Sequence, residues 1–228
     1  MIFVTKFKTE LHCHTSEFSY CSGQSGKDKI KQYAEAGYTT VVLTNHYNYN
    51  YTGWEDHVPF VRRFFEAGEI MRDAAPDGMT VLTGIEMRFP DTWNDYLVFG
   101  LTEEQLLTMP DVCKMHISDF HEKVNEFGGI VIQAHPFRDM MTICRFEWID
   151  GIEVYNGGNK RRNLIYDKTA AFWAECACET KKFIVTSGSD HHNADNEICG
   201  GIITDEAIRS SEQLVSILKS GKYELIRG

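Results

Sequence analysis

No stretch of this chain approaches the ~18 consecutive apolar residues that a membrane-spanning helix needs, so no membrane partner is expected. The amino end begins mostly apolar, but Lys6, Lys8 and Glu10 break any signal-peptide core at once, and a cytoplasmic protein is expected. Basic charge is scarce. Against 33 Asp and Glu stand only 23 Lys and Arg, a formal charge of −10, which argues against a binder that works through a basic surface. No nucleic-acid polymer is therefore expected as a partner, while a nucleotide substrate stays compatible with the charge. Pro, Gly and Ser form no linker, no repeat stands out, and no G-x-x-x-x-G-K-[ST] phosphate loop is present. The seven cysteines are odd in number and scattered along a chain too large to need staples, which points to free thiols. Cys176 and Cys178, two apart on an expected helix, point in different directions and read as small hydrophobes rather than a zinc knuckle.

What is present is ordinary globular composition, 43% hydrophobic and 25% charged over 228 residues. Seven β-rich apolar runs fall at 7–13, 39–45, 80–87, 95–101, 129–135, 151–156 and 183–189. Helical patterns lie between them near 26–36, 56–74, 115–127 and 160–181. Several runs are nearly continuous in apolar content, as in parallel strands covered on both faces. The alternation predicts one α/β domain over 1–228 built on a parallel sheet, as a barrel or as an open doubly wound sheet. The tail beyond 202 adds a short apolar run, a helix near 211–220 and a last strand in YELIR.

The informative pattern is where His, Asp and Glu fall. His12 and His14 end the first run, His46 follows the second, and Glu86 lies near the end of the third. Asp95 opens the fourth, His135 ends the fifth, and Asp190 with His192 follow the seventh. Strand alternation sets His12 and His14 on one face and Cys13 on the other. One such histidine is unremarkable, but the coincidence repeats at several strand ends. In a parallel barrel those ends converge on the face where active sites are built. Imidazoles and carboxylates together suit Zn, Mn or Fe, and there are too many for one tetrahedral ion. Two or three divalent ions are expected.

The segments "LHCHT", "LTNH", "GIE", "AHP" and "GSDHH", in this order, resemble the PHP family, named for polymerase and histidinol phosphatase. The resemblance covers nearly the whole chain. It implies a distorted (β/α)7 TIM-like barrel and a metal-dependent phosphoesterase, histidinol-phosphatase-like, that uses metal-activated water. It implies His12, His14, His46, Glu86, His135, Asp190 and His192 as ligands, with Glu86 bridging. Asp95 stands where many members have histidine and is kept as a ligand, since a carboxylate binds the same ions. Asn45 replaces the usual aspartate before the histidine and is expected to support a ligand rather than be one. Many relatives complete one shell with an acid or histidine soon after H-x-H; here Glu17 is favoured over Cys21, whose thiolate would favour zinc.

The substrate expected is a small phosphomonoester or nucleotide. Arg138 is placed to clamp its phosphate with a planar fork, ahead of Lys160, Arg161 and Arg162. His192 is nominated as proton donor to the leaving group. Residues 48–56 and 88–94 are expected to wall the site. His191 is left between the cleft and an exposed loop, and His57, His116 and His121 are assigned to helix faces. Two other readings compete: an amidohydrolase-type hydrolase, disfavoured because no lysine stands at a strand end, and a non-catalytic metal-binding module.

Overall fold

A computed structural model describes residues 6–48, 56–109, 112–160 and 162–228. Eleven strands are described: β1 (Phe7–Cys13), β2 (Tyr38–Leu43), β3 (His46–Tyr47), β4 (Thr80–Thr83), β5 (Ile85–Arg88), β6 (Asp95–Phe99), β7 (Ile130–Gln133), β8 (Gly151–Asn156), β9 (Ile184–Gly188), β10 (Ile202–Thr204) and β11 (Glu224–Leu225). The helices are α1 (Gly26–Glu35), α2 (His57–Asp73), α3 (Glu103–Thr108), α4 (Ile117–Glu126), α5 (Gly157–Lys160), α6 (Ile165–Cys178) and α7 (Ser211–Ser220). Among the described residues no helix is long and apolar enough to cross a membrane.

The strands form two sheets, in the orders β11-β10-β1-β2-β4 and β3-β5-β6-β7-β8-β9. Gly84 lies between β4 and β5, where the chain passes from one sheet to the other, and its N–H bonds Leu43 O. A Cβ there would meet Val42, Thr44 and Phe99 at 3.0–3.1 Å. At the other junction, a Cys13–His191 bridge joins β1 to the segment after β9. Pairing is parallel for β1–β2–β4 and β7–β8–β9, as expected, but β6 runs antiparallel to both β5 and β7. The link 89–94 is a short hairpin connection, and only antiparallel strands can be joined so directly.

Local chemistry sets the helix ends. Ser25 caps α1 by accepting from Asp28 N, and Ser210 caps α7 by accepting from Gln213 N. The α7 helix stops at Gly221, whose φ of 72° is the left-handed conformation that glycine tolerates. His116, expected on a helix face, instead caps α4 through Nδ1. The β1 strand carries the feature that matters most for the site. Glu10 pairs with Val41 and Cys13 with Leu43, so one extra residue bulges out of β1 between them. The Leu11 and His12 N–H groups donate to Glu10 Oε1 at 3.0 and 2.9 Å.

Candidate metal centre

Eight of the nine ligands expected from sequence are gathered in one place, in overlapping groups of three whose donor atoms lie within 4.8 Å of one another. Glu86, fully buried on β5, is the hub. Its Oε1 lies 3.2 Å from His12 Nε2 and 2.9 Å from His135 Nε2; its Oε2 lies 3.3 Å from His14 Nε2 and 2.7 Å from His46 Nδ1. Asp190 is the second hub, with Oδ1 at 3.5, 3.3 and 3.4 Å from His12 Nε2, His14 Nε2 and His192 Nδ1. Asp95 joins His46 and Glu86 in a further group. His135 and Asp190 hold φ angles of 23° and 50°, a region that costs a side-chain-bearing residue about 1–3 kcal/mol. Both sit where the chain leaves a strand and turns its side chain inward.

The donor set fits divalent ions. His12 Nε2 and both ring nitrogens of His14 are buried and make no hydrogen bond, although carboxylates stand close by. Such atoms are costly in a protein interior unless something binds them. Burial and the neighbouring His192 and His46 push the His14 imidazole well below its usual range, toward the neutral form that ligates. Burial alone would raise the Glu86 carboxyl, but His46 and His12 outweigh it and hold it well below the carboxylate range. The same holds for Asp190, where burial is outweighed by His12, Arg138 and His192.

Glu17 is the expected ligand that is not gathered. Both of its carboxylate oxygens accept from Gly26 N, at 2.9 and 3.0 Å, so it closes the first turn of α1 instead. Cys21 lies nearer the donors: it lines the same cavity as His46 and His192. Partial covering raises its thiol, but hydrogen bonds to His192 and His46 bring it down to about 7. His191 is neither in the cleft nor on an exposed loop. It is fully buried, with Lys29 Nζ 3.3 Å from Nδ1 and 2.9 Å from its carbonyl.

Several supporting residues escaped the sequence reading. Glu153 Oε1 lies 3.0 Å from His12 Nδ1, which sets that ring with Nε2 toward the site; its Oε2 accepts from His135 N and Asn156 Nδ2. Its only signal was a carboxylate inside the apolar run GIEVYN. Arg88 grips Asp95 as a fork, Nε and Nη2 at 2.7 and 2.5 Å from the two oxygens. Asn45, expected to support a ligand, accepts at Oδ1 from Thr15 N and from Ser19 Oγ.

A cavity of about 520 Å³ opens over the donors, lined by His46, Asp95, His135 and Asp190 and by Arg88, Arg138 and Arg162. Arg138 is held rather than loose, with Nε on Asn159 Oδ1 and Nη2 on Asn156 Oδ1 and Asp190 Oδ2, at 2.6–2.7 Å. Lys160 pairs with Glu197 on the surface. Arg161 and residues 49–55 of the first expected wall lie outside the described residues. In the second wall, Trp93 stacks on Arg88 at 5.8 Å.

The sequence matches the PHP domain over residues 10–223, and the chain belongs to that family. No curated protein matches it in sequence. Among solved structures it resembles a two-domain protein from Bacteroides vulgatus containing a predicted PHP-like metal-dependent phosphoesterase. The identity is 16% and the TM-score 0.67, with 98% of this chain covered and 65% of that one. It also resembles PsfC from Pseudomonas syringae, at 12% identity and TM-score 0.68, over 98% and 92% of the two chains. The third is the lesion-specific endonuclease Q of Pyrococcus furiosus, at 11% identity and TM-score 0.60, over 97% and 58%. At such identities the likeness is one of fold: an α/β, metal-dependent phosphoesterase-like fold.

One expectation is overturned. Endonuclease Q has been solved with a 27-mer duplex bearing an abasic lesion at its active site, so this fold admits nucleic-acid polymers. The net charge of −10 was too coarse a guide, because it averages over the whole surface and three arginines line this one cavity.

Proposed function

We propose that the chain is a metal-dependent phosphoesterase that hydrolyses a phosphate ester with activated water at a di- or trinuclear site. Its ligands are His12, His14, His46, Glu86, Asp95, His135, Asp190 and His192, and its ions are Zn, Mn or Fe. One observation supports this above the others: a fully buried Glu86 approached by four imidazole nitrogens at 2.7–3.3 Å, with His12 Nε2 and His14 Nε2 making no hydrogen bond. Bound ions would supply Lewis acidity toward a phosphoryl oxygen and acidify water. The protein supplies the rest. Glu153 fixes the His12 ring, and Arg88 and Arg138, each oriented by a carboxylate, set planar positive charge around the cavity for the phosphoryl oxygens. His192 Nδ1 donates to Asp190 O at 3.0 Å, which leaves Nε2 to ligate and no ring proton for the departing alkoxide, so His192 acts here as a ligand rather than as the proton donor.

The substrate class is tested by measuring bound metal and phosphate release over phosphomonoesters (histidinol phosphate among them), nucleotides, cyclic nucleotides, and duplexes with and without an abasic lesion. Wild type is compared with His135→Ala and Arg138→Ala. Tightly held metal with no turnover of any phosphate ester overturns the phosphoesterase reading. Unchanged turnover in His135→Ala overturns the site assignment.

A further inference from the structure

We propose that Cys21 provides a thiolate ligand at the metal position framed by His14, His46 and His192. The inference rests on the metal-dependent reading above and adds a sulfur donor to it. The three histidine donors lie within 4.8 Å of one another, and both ring nitrogens of the fully buried His14 make no hydrogen bond. Cys21 lines the same cavity as His46 and His192 of this trio. It stands outside the 4.8 Å set itself, but an exposed side chain with one rotatable bond is free to turn inward.

The turn that carries Cys21 is built onto the ligands. Ser19 Oγ accepts from His46 N at 3.0 Å and donates to Asn45 Oδ1 at 2.9 Å. Ser22 Oγ lies 3.1 Å from His14 O and 2.7 Å from His192 O. Two serines flanking Cys21 thus tie its turn to the backbone of all three histidines. Ser16 N also bonds Gln24 O at 2.9 Å, closing the base of the loop. The oxygen donor that could compete, Glu17, is committed to Gly26 N.

On binding, the Cys21 Sγ–H bond gives way to a metal–sulfur bond and the proton leaves to solvent. Three imidazoles and a thiolate bias the position toward zinc or ferrous iron over manganese, which prefers oxygen donors.

Cobalt(II) reports sulfur ligation directly. Metal-free wild type, Cys21→Ser and Cys21→Ala are loaded with cobalt, and the near-ultraviolet spectrum and metal content are read. Wild type is expected to show a thiolate-to-cobalt charge-transfer band that both variants lose. Their cobalt affinity should fall by at least the roughly 10-fold that loss of an outer supporting group brings. As a second readout, cobalt should slow iodoacetamide labelling of Cys21, while Cys178, also exposed, labels at an unchanged rate. Cobalt held by wild type without the band, or a band that survives Cys21→Ser, overturns the proposal and leaves the metal centre standing. A wild type that retains no cobalt overturns the metal centre itself.

Discussion

Two buried polar clusters meet across β1, and they close their hydrogen bonds in opposite ways. Toward the cavity, His12 and His14 carry ring nitrogens that are buried yet make no hydrogen bond. Toward α1, Glu10 is equally buried, but its Oε1 accepts from Leu11 N, His12 N and Ser189 N, and its Oε2 from Tyr33 OH. Lys29 beside it is fully buried and donates to His191 O. Burial alone does not separate a binding site from scaffold, since both clusters are hidden. Closure of the hydrogen bonds does. On the α1 side Glu10 and Lys29 are hydrogen-bonded and hold two chain segments together, β1 and the turn of Ser189 to His191. The cavity side is under-satisfied, as a site that awaits a ligand should be.

The comparison breaks most sharply at its two carboxylates. Glu86→Gln removes the hub charge, and phosphoester turnover should fall by roughly 10³-fold, at the upper end of the loss seen for one charge-stabilising donor. Metal content should drop in parallel. Glu10→Ala should act on stability instead. It strands three N–H groups and a phenol in the interior, at about 1–3 kcal/mol each before relaxation. A destabilisation of about 3 kcal/mol or more in urea unfolding is expected, and a variant that unfolds at the wild-type midpoint contradicts the scaffold role.

How far the sequence reaches follows from the same contrast. The α/β class and the clustering of strand-end His, Asp and Glu were legible because residue type and strand position coincide six times over. Spacing along the chain cannot show that the loop of Glu17 folds back to close α1 at Gly26. Nor does composition show that Ser19 and Ser22 fasten the turn around Cys21. Glu153 and Glu10 were invisible because a buried carboxylate within an apolar run differs from an ordinary strand residue only by what it touches. The antiparallel placement of β6 follows from a short hairpin link that apolar periodicity does not record.

Lys29 sharpens the comparison through pH. Burial lowers its ammonium from 10.5 to about 8, with nearby anions offsetting only part of that. Between pH 8 and 10.5 the unfolded chain therefore binds the proton that the folded one has released, so stability rises with pH across that window. The rise is on the order of 3 kcal/mol by linkage. Below pH 8 both states are protonated and the slope from this group vanishes. Lys29→Met should abolish the rise in urea-unfolding free energy between pH 8 and 10.5, while a variant that keeps the full slope assigns it to other groups.

The smallest effect is expected where the two clusters share a wall. Glu153 belongs to neither pattern: it accepts from His135 N and Asn156 Nδ2, as scaffold does, yet its other oxygen lies 3.0 Å from His12 Nδ1. Glu153→Gln keeps the shape and offers an amide in place of a carboxylate, so the bonds from His135 N and Asn156 Nδ2 can persist while the charge behind His12 is lost. Metal affinity should then weaken by roughly 10- to 100-fold, the range for an outer partner of a ligating histidine, with unfolding changed by less than ~1 kcal/mol. Titration of the metal-free variant with zinc or cobalt measures the first, and urea unfolding of the same sample the second. A loss confined to stability would place Glu153 with Glu10, on the scaffold side of β1. A loss confined to affinity would extend the ligand-ready side one layer deeper than its nitrogen atoms.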